Sequence, residues 1–312
     1  MGDLMHALPA ITEAKSHMND ITFDWVVDKS FSSVPKWHPD VKNTIETNHR
    51  EWKFNLFSSK ARDEMRKVIN KIDDNEYDLI IDMQNNLKSA FLSFMCKSPV
   101  AGLDAKSARE YPAHLAYKNK SRVPKDMHAV ERQKHLLASA LGYKTNLANR
   151  DYGISKANFR KPKKYHFSKY AICVQNASWT TKQWPIESWK ELLRILEQRD
   201  LNLLFPSGNQ AEFERASEIC SISEKAHALE VLPLDEVAFL IDNSEFSLCS
   251  DTGLAHLSAV VSTPSLTLYG PTDTNLIGTY GKDQNHLVSP DSNISKISVH
   301  DVLTKLEHLS FI

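Results

Sequence analysis

The stretch SLCSDTGLAHLSAVV (247–261) has the residue types and spacing to hold an anion. A short buried-strand pattern ends at Ser250. Asp251, Thr252 and Gly253 make a turn, and an apolar run at helical spacing follows at once. The first amides of such a helix have no intrahelical acceptor, and its dipole is positive there, so the corner suits a phosphate or diphosphate. Gly253 lets a ligand approach the backbone closely. His256 lies one turn into the helix, where it can point toward the same corner. An ordinary Asp/Thr helix cap with a structural histidine uses the same letters. Asp-Thr-Gly also supplies the dyad of aspartic proteases, but there two copies lie in β structure; this chain has one, followed by an apolar helix. No G-x-G-x-x-G and no G-x-x-x-x-G-K-[ST] occurs, so neither glycine-rich fingerprint applies.

Alternating strand and helix signals surround this corner. YAICVQ (170–175) reads as a strand. Pro185 opens a helix with Trp189, Leu192, Leu193 and Leu196 inward. LNLLFPSG (201–208) is strand then turn, QAEFERASEIC and LPLDEVAFLIDNS (232–244) are helices, and SLTLYGPTD is a strand with its exit loop. The first half repeats the theme. ITFDWVVD (21–28) alternates like a strand, and 58–72 places Met65, Val68, Ile69 and Ile72 on one helical face. YDLIIDMQ (77–84) reads as a buried parallel strand opening onto a site, with the helix NLKSAFLSFMCK after it. A helix over 128–144 carries Val130, His135, Leu137 and Leu141, and Gly142 stops it. The basic, proline-containing stretch 157–169 is predicted to link two halves, 1–156 and 170–312. The expected fold is α/β, with two Rossmann-like domains facing across a cleft.

A net charge of −1 lacks the basic field of a nucleic-acid binder, so no nucleic-acid partner is expected. Cys96, Cys173, Cys220 and Cys249 lack metal or disulfide-framework spacing and read as free thiols. No apolar run approaches ~18 residues, and no signal-peptide pattern opens the chain. The expected compartment is the cytoplasm.

The block SDTGLAHLSAVVSTP followed by LTLYGPTD resembles the signature of glycosyltransferase family 9, the ADP-heptose:lipopolysaccharide heptosyltransferases. MGDLMHALPAI, FDWVVD, WHPDV, YDLIIDMQNNLKSA, SAREYPAHLAY, HAVERQK and KQWPIESWKEL resemble blocks of the heptosyltransferase I branch, in order along the chain. The resemblance implies a GT-B fold and a reaction that needs no metal or cofactor: inverting transfer of L-glycero-D-manno-heptose from ADP-heptose to Kdo of Kdo2-lipid A. It implies a second domain that binds the donor and a first that binds the acceptor. By the same resemblance Gly2-Asp3 matches a motif whose aspartate is the base. Lys182 matches a lysine facing the diphosphate, Thr180 and Thr181 match hydroxyls on the same phosphates, and Glu212 matches a ribose-binding glutamate. Asp251, Thr252, Gly253, Leu254 and His256 would complete the grip. Without the resemblance, Asp3 reads as a helix-start acid, Lys182 as a solvated loop lysine and Glu212 as a first-turn glutamate.

On the acceptor side, Gly2, Arg50, Trp52, Lys53, Lys88 and Arg109 are the candidates, because phosphates and Kdo carboxylates attract cations. Glu51 and Phe54 stand where the family is often basic, which leaves the preferred acceptor phosphorylation open. KNKSRVPK (118–125) has the charge to touch an anionic membrane surface, and the expected location is peripheral, on the cytoplasmic face of the inner membrane. The family pattern places an apolar strand ahead of Gly2-Asp3. Its absence leads to the expectation that the sequence as given is truncated at its start. The alternatives are a heptosyltransferase II type enzyme or an inactive ADP-sugar binder.

Overall fold

Helix α1 (Gly2–His17) begins two residues into the chain and buries Met5, Leu8, Ile11 and Ala14. The computed structural model describes every residue except 50 and 53–57. It separates into two compact units, with the boundary between Ser155 and Lys156.

In the first unit, β1 (Phe23–Asp28) runs parallel to β2 (Val41–Thr47), with Trp25 opposite Thr44 and Val26 opposite Ile45. A second sheet holds β3 (Ile80–Ile81), β4 (Val100–Leu103) and β5 (Asn119–Ser121), again parallel. The two sheets are separate ladders, and the Tyr77 hydroxyl ties one to the other by donating to Asp24 at 2.6 Å. The helices are α2 (Ser33–Lys36), α3 (Ser59–Asp74), α4 (Leu87–Phe94) and α5 (Ala129–Leu141). Ala10, Ile11 and Ala14 of α1 meet Leu137 of α5, with Phe23, Trp25, Ile81 and Met83 packed around them. Gly142 ends α5 as expected: its φ of +83° is left-handed, and its N–H returns to the Ala138 carbonyl.

Two expectations change here. β3 is shorter than 77–84 because Asp82 turns the chain, accepting the amides of Gln84 and Asn85 at 2.9 Å each. The inner face of α5 also carries Lys134 rather than His135, and Lys134 is fully buried. Its ammonium donates to the Asn146 and Asn149 carbonyls at 2.5 and 2.7 Å and lies 3.8 Å from buried Glu13. Burial pushes the Lys134 pKa down, opposed by Glu13 and Glu131.

The second unit contains one six-stranded, all-parallel sheet: β6 (Tyr170–Val174), β7 (Asn202–Phe205), β8 (Ala226–Ala228), β9 (Ser247–Ser250), β10 (Ser265–Tyr269) and β11 (Gln284–Val288). Their spatial order is β11-β10-β9-β6-β7-β8. The helices are α6 (Ile186–Leu196), α7 (Gln210–Cys220), α8 (Leu234–Asp242), α9 (Gly253–Val260), α10 (Thr274–Ile277) and α11 (Val299–His308). The central strands are buried along their length, which is why they read as unbroken apolar runs. The predicted inner face of α6 is buried, and Trp184, Trp189 and Phe205 stack edge to face beside it. The stretch predicted as a linker lies in this unit, pinned by Arg160–Asp235 and Lys164–Glu230 ion pairs at 3.1 and 2.5 Å. The four cysteines are free; Cys173, Cys220 and Cys249 are buried, and burial pushes the thiols of Cys220 and Cys249 up to about 12.

Candidate functional site

From β6 the chain winds one way through β7 and β8, then crosses back to β9 and winds the other way. The reversal falls between β6 and β9. Beyond the carboxyl ends of such neighbours, outgoing connections part and leave a crevice for a ligand.

Asp251 follows β9 directly and is buried. Its carboxylate pairs with the Lys182 ammonium at 2.7 Å and accepts a hydrogen bond from the Thr272 hydroxyl. Thr252 is the N-cap of α9, but no side chain caps that end. The helix therefore presents its first amides open beside a fixed cation, an arrangement that favours a diphosphate. Lys182 closes a single 3-10 turn, Thr180–Lys182, whose Thr180 and Thr181 are exposed. Gly270 lets the loop after β10 pass this turn. A Cβ there would sit 3.0 Å from the Ile294 nitrogen and 3.2 Å from the Thr181 carbonyl oxygen. Leu254 is half-buried and His256 is buried within α9.

Glu212 lies in the first turn of α7. Its carboxylate accepts from the Gly208 amide at 2.7 Å, and from the Asn176 and Asn209 side-chain amides at 2.9 Å each. Asn209 returns the favour by accepting the Glu212 amide at 3.0 Å. The carboxylate thus joins the exits of β6 and β7. Three buried polar atoms at this edge, Asn176 Oδ1, Ser207 Oγ and Ser250 Oγ, have no hydrogen-bond partner among the described residues. Unsatisfied buried groups are costly, and their gathering on adjacent strand ends marks a place for ligand or water. Sequence reading missed Asn176, Ser207 and Thr272. Their only signal is a polar residue just past an apolar run.

In the first unit, Asp3 lies in the first turn of α1, and no side chain caps that helix. Its carboxylate accepts a hydrogen bond from Arg109 at 2.9 Å. Desolvation would raise the Asp3 pKa, but the Arg109 charge and hydrogen bond, with His6, outweigh it and hold the carboxyl below its ordinary value. Both side chains are more than half exposed, so solvent screens the pair and it adds little to stability. Arg109 is carried on the loop that Asn85 and Asp82 organise. Asn85 is left-handed at φ +52°, and its side chain spans Asp82 and Leu103. Asp82 is buried and accepts from Ser89 and Tyr117 at 2.8 and 2.7 Å; burial pushes its pKa up. Lys88 is exposed in the first turn of α4. Trp52 is buried, and its N–H is spent on Glu64 of α3 at 2.9 Å. Arg50, Lys53 and Phe54 lie outside the described residues.

The sequence profile of glycosyltransferase family 9 (heptosyltransferase) matches residues 65–306. The lipopolysaccharide heptosyltransferase 1 of Escherichia coli K12 is 35% identical over 310 residues, 99% of this chain and 97% of that protein. The Pseudomonas aeruginosa protein of the same description is 37% identical over 290 residues, 93% of this chain and 81% of that one. Among solved structures, E. coli heptosyltransferase WaaC with ADP superposes with a TM-score of 0.92 at 34% identity, covering 99% of this chain and 97% of that one. The same enzyme with ADP-2-deoxy-2-fluoro heptose gives 0.90 at 33% identity, covering 99% and 96%.

Proposed function

The chain belongs to glycosyltransferase family 9, the heptosyltransferases, and on that premise we propose how its own side chains carry the transfer. It is a GT-B glycosyltransferase of lipopolysaccharide inner-core synthesis that uses ADP-heptose. The finer reading is that the acceptor is Kdo of Kdo2-lipid A, met at the cytoplasmic face of the inner membrane.

The open amides of α9, at Thr252, Gly253 and Leu254, receive the diphosphate together with the Lys182 ammonium. The hydroxyls of Thr180 and Thr181 contribute to the same grip. Asp251 is too negative to face phosphate itself and acts by aiming Lys182. Glu212, held by Gly208 and Asn176, offers its remaining lone pairs to the ribose hydroxyls. Asp3 takes the proton of the acceptor hydroxyl as its oxygen bonds to the anomeric carbon. The bond to ADP breaks from the opposite face, so the configuration inverts, and the departing charge is taken up by the amides and Lys182. Arg109 keeps Asp3 ionised until acceptor binds. When a Kdo carboxylate or lipid phosphate draws the guanidinium away, Asp3 becomes the stronger base.

The observation that carries this reading is Lys182 locked onto Asp251 beside the uncapped start of α9, at the point where strand order reverses. The test is ADP release by purified protein from ADP-heptose, with and without Kdo2-lipid A. Acceptor-dependent release with a heptosylated lipid product is expected; release that ignores the acceptor would overturn the assignment. A heptosylated acceptor in place of Kdo2-lipid A discriminates a heptosyltransferase II type activity.

A further inference from the structure

Helix α4 turns apolar side chains outward. Leu87, Phe91, Phe94 and Met95, spaced to share one face, are 49, 53, 66 and 49% exposed. The opposite side, with Ala90, Leu92 and Ser93, is the buried one. Ala90 packs with Val100, Ala113 and Tyr117, which seats the 3-10 segment Tyr111–Ala116 against α4. That segment adds Tyr111 and Leu115, each 71% exposed. Buried Asp82 fixes the pair by accepting from Ser89 on α4 and from Tyr117 just past the segment. Folding leaves much of this outer face in water. Contiguous exposed apolar groups on a rigid support mark a contact surface.

The surrounding chain supplies the sign of the partner. Residues 86–125 contain eight Lys and Arg against two acids, Asp104 and Glu110, within a chain of net charge −1. Lys88, Lys97, Lys118 and Lys120 among them are exposed.

We propose that this face docks the first unit onto an anionic lipid bilayer. The apolar side chains enter the interface, and the lysines meet lipid phosphates. The inference deepens, and rests on, the reading that the acceptor is presented at a membrane. A second copy of the chain fits poorly, because it would set one strongly positive segment against another. Exposed apolar side chains on a segment rich in lysine and arginine fit headgroup phosphates above an acyl layer, and a tyrosine suits that boundary. No described helix is long and apolar enough to cross a membrane, so the contact is with the surface.

The experiment is co-sedimentation of the full chain with phosphatidylcholine vesicles, with and without phosphatidylglycerol. The wild type should bind the anionic vesicles. The F91S/F94S variant should lose about tenfold or more in partitioning, from the transfer free energy of two phenyl rings. The K118E/K120E variant should lose binding on anionic vesicles alone, by roughly fivefold or more per charge. Both should keep wild-type transfer to a deacylated, water-soluble Kdo acceptor. Unchanged vesicle binding by F91S/F94S, or a wild-type dimer that this variant splits in light scattering, would overturn the docking proposal. Absence of transfer to the soluble acceptor by the wild type would instead overturn the reaction, whatever the vesicles show.

Discussion

The two units place their candidate groups in different ways. In the second, Asp251, Asn176 and Ser250 lie at the buried ends of one continuous parallel sheet, and Lys182 has a buried carboxylate as partner. In the first, the strands form two smaller sheets, and Asp3, Lys88 and Arg109 lie exposed at helix starts and on a loop. A nucleotide is small and fixed in shape, so a preorganised crevice serves it. A phosphorylated lipid headgroup is large, and exposed cations on loops can adapt to it. On the proposed reading, binding precision falls to one unit, and adaptable charge with the proposed base, Asp3, falls to the other.

The largest expected effect tests the base. Asp3→Asn should lower kcat by roughly 10²–10⁴ while leaving ADP affinity near wild type by calorimetry. A matching loss of ADP binding would erase the division of labour. Next, Lys182→Met should cost on the order of 10² in kcat and weaken ADP, because the departing charge loses its cation. An unaltered rate would mean that the α9 amides suffice. Third, Lys134→Ala should destabilise the first unit by about 3–5 kcal/mol in denaturant unfolding, because buried Glu13 loses its cation. Pairing it with Glu13→Gln should recover much of that loss. Fourth, Glu212→Gln should weaken donor binding by about tenfold, the worth of one charge-assisted hydrogen bond, with kcat at saturating donor barely moved.

The smallest effect concerns pH. Arg109 holds the Asp3 carboxyl below its ordinary value, and on the proposed reading the ionised form is the base. The acid limb of kcat/KM measured on free enzyme therefore lies below the usual carboxylate range. Arg109→Ala should move it upward in pH, and a downward or absent shift would show that the guanidinium does not govern Asp3.

Local pattern reached far in the second unit. The strands over 170–174 and 247–250, the proline-started helix with its four inward residues, and the strand–turn–helix at 251–253 are all visible as runs and periods. It reached less far in the first, where β4 and β5 are three or four residues each and β3 is two. Strands that short carry no period. Lys134 gives no signal in the sequence for a related reason: a lysine on a helix is ordinarily solvated. The Asn146 and Asn149 carbonyls, brought back by the following loop, together with Glu13 make its burial tolerable. Trp52 reads as a ligand-facing aromatic beside cations, yet a glutamate on α3 takes its N–H.

By itself, then, the amino-acid order determined the α/β class, the strand–turn–helix corner suited to an anion and the residue types able to do the chemistry, because those depend on periodicity and near neighbours. Tertiary structure alone decided that Lys182 pairs with Asp251, 69 positions on, and that Arg109 pairs with Asp3, 106 positions back. It also decided that an apolar helix face stays outside the core. The reason is physical: ion pairing and burial depend on distances in space, and strand order, which no local pattern encodes, sets those distances.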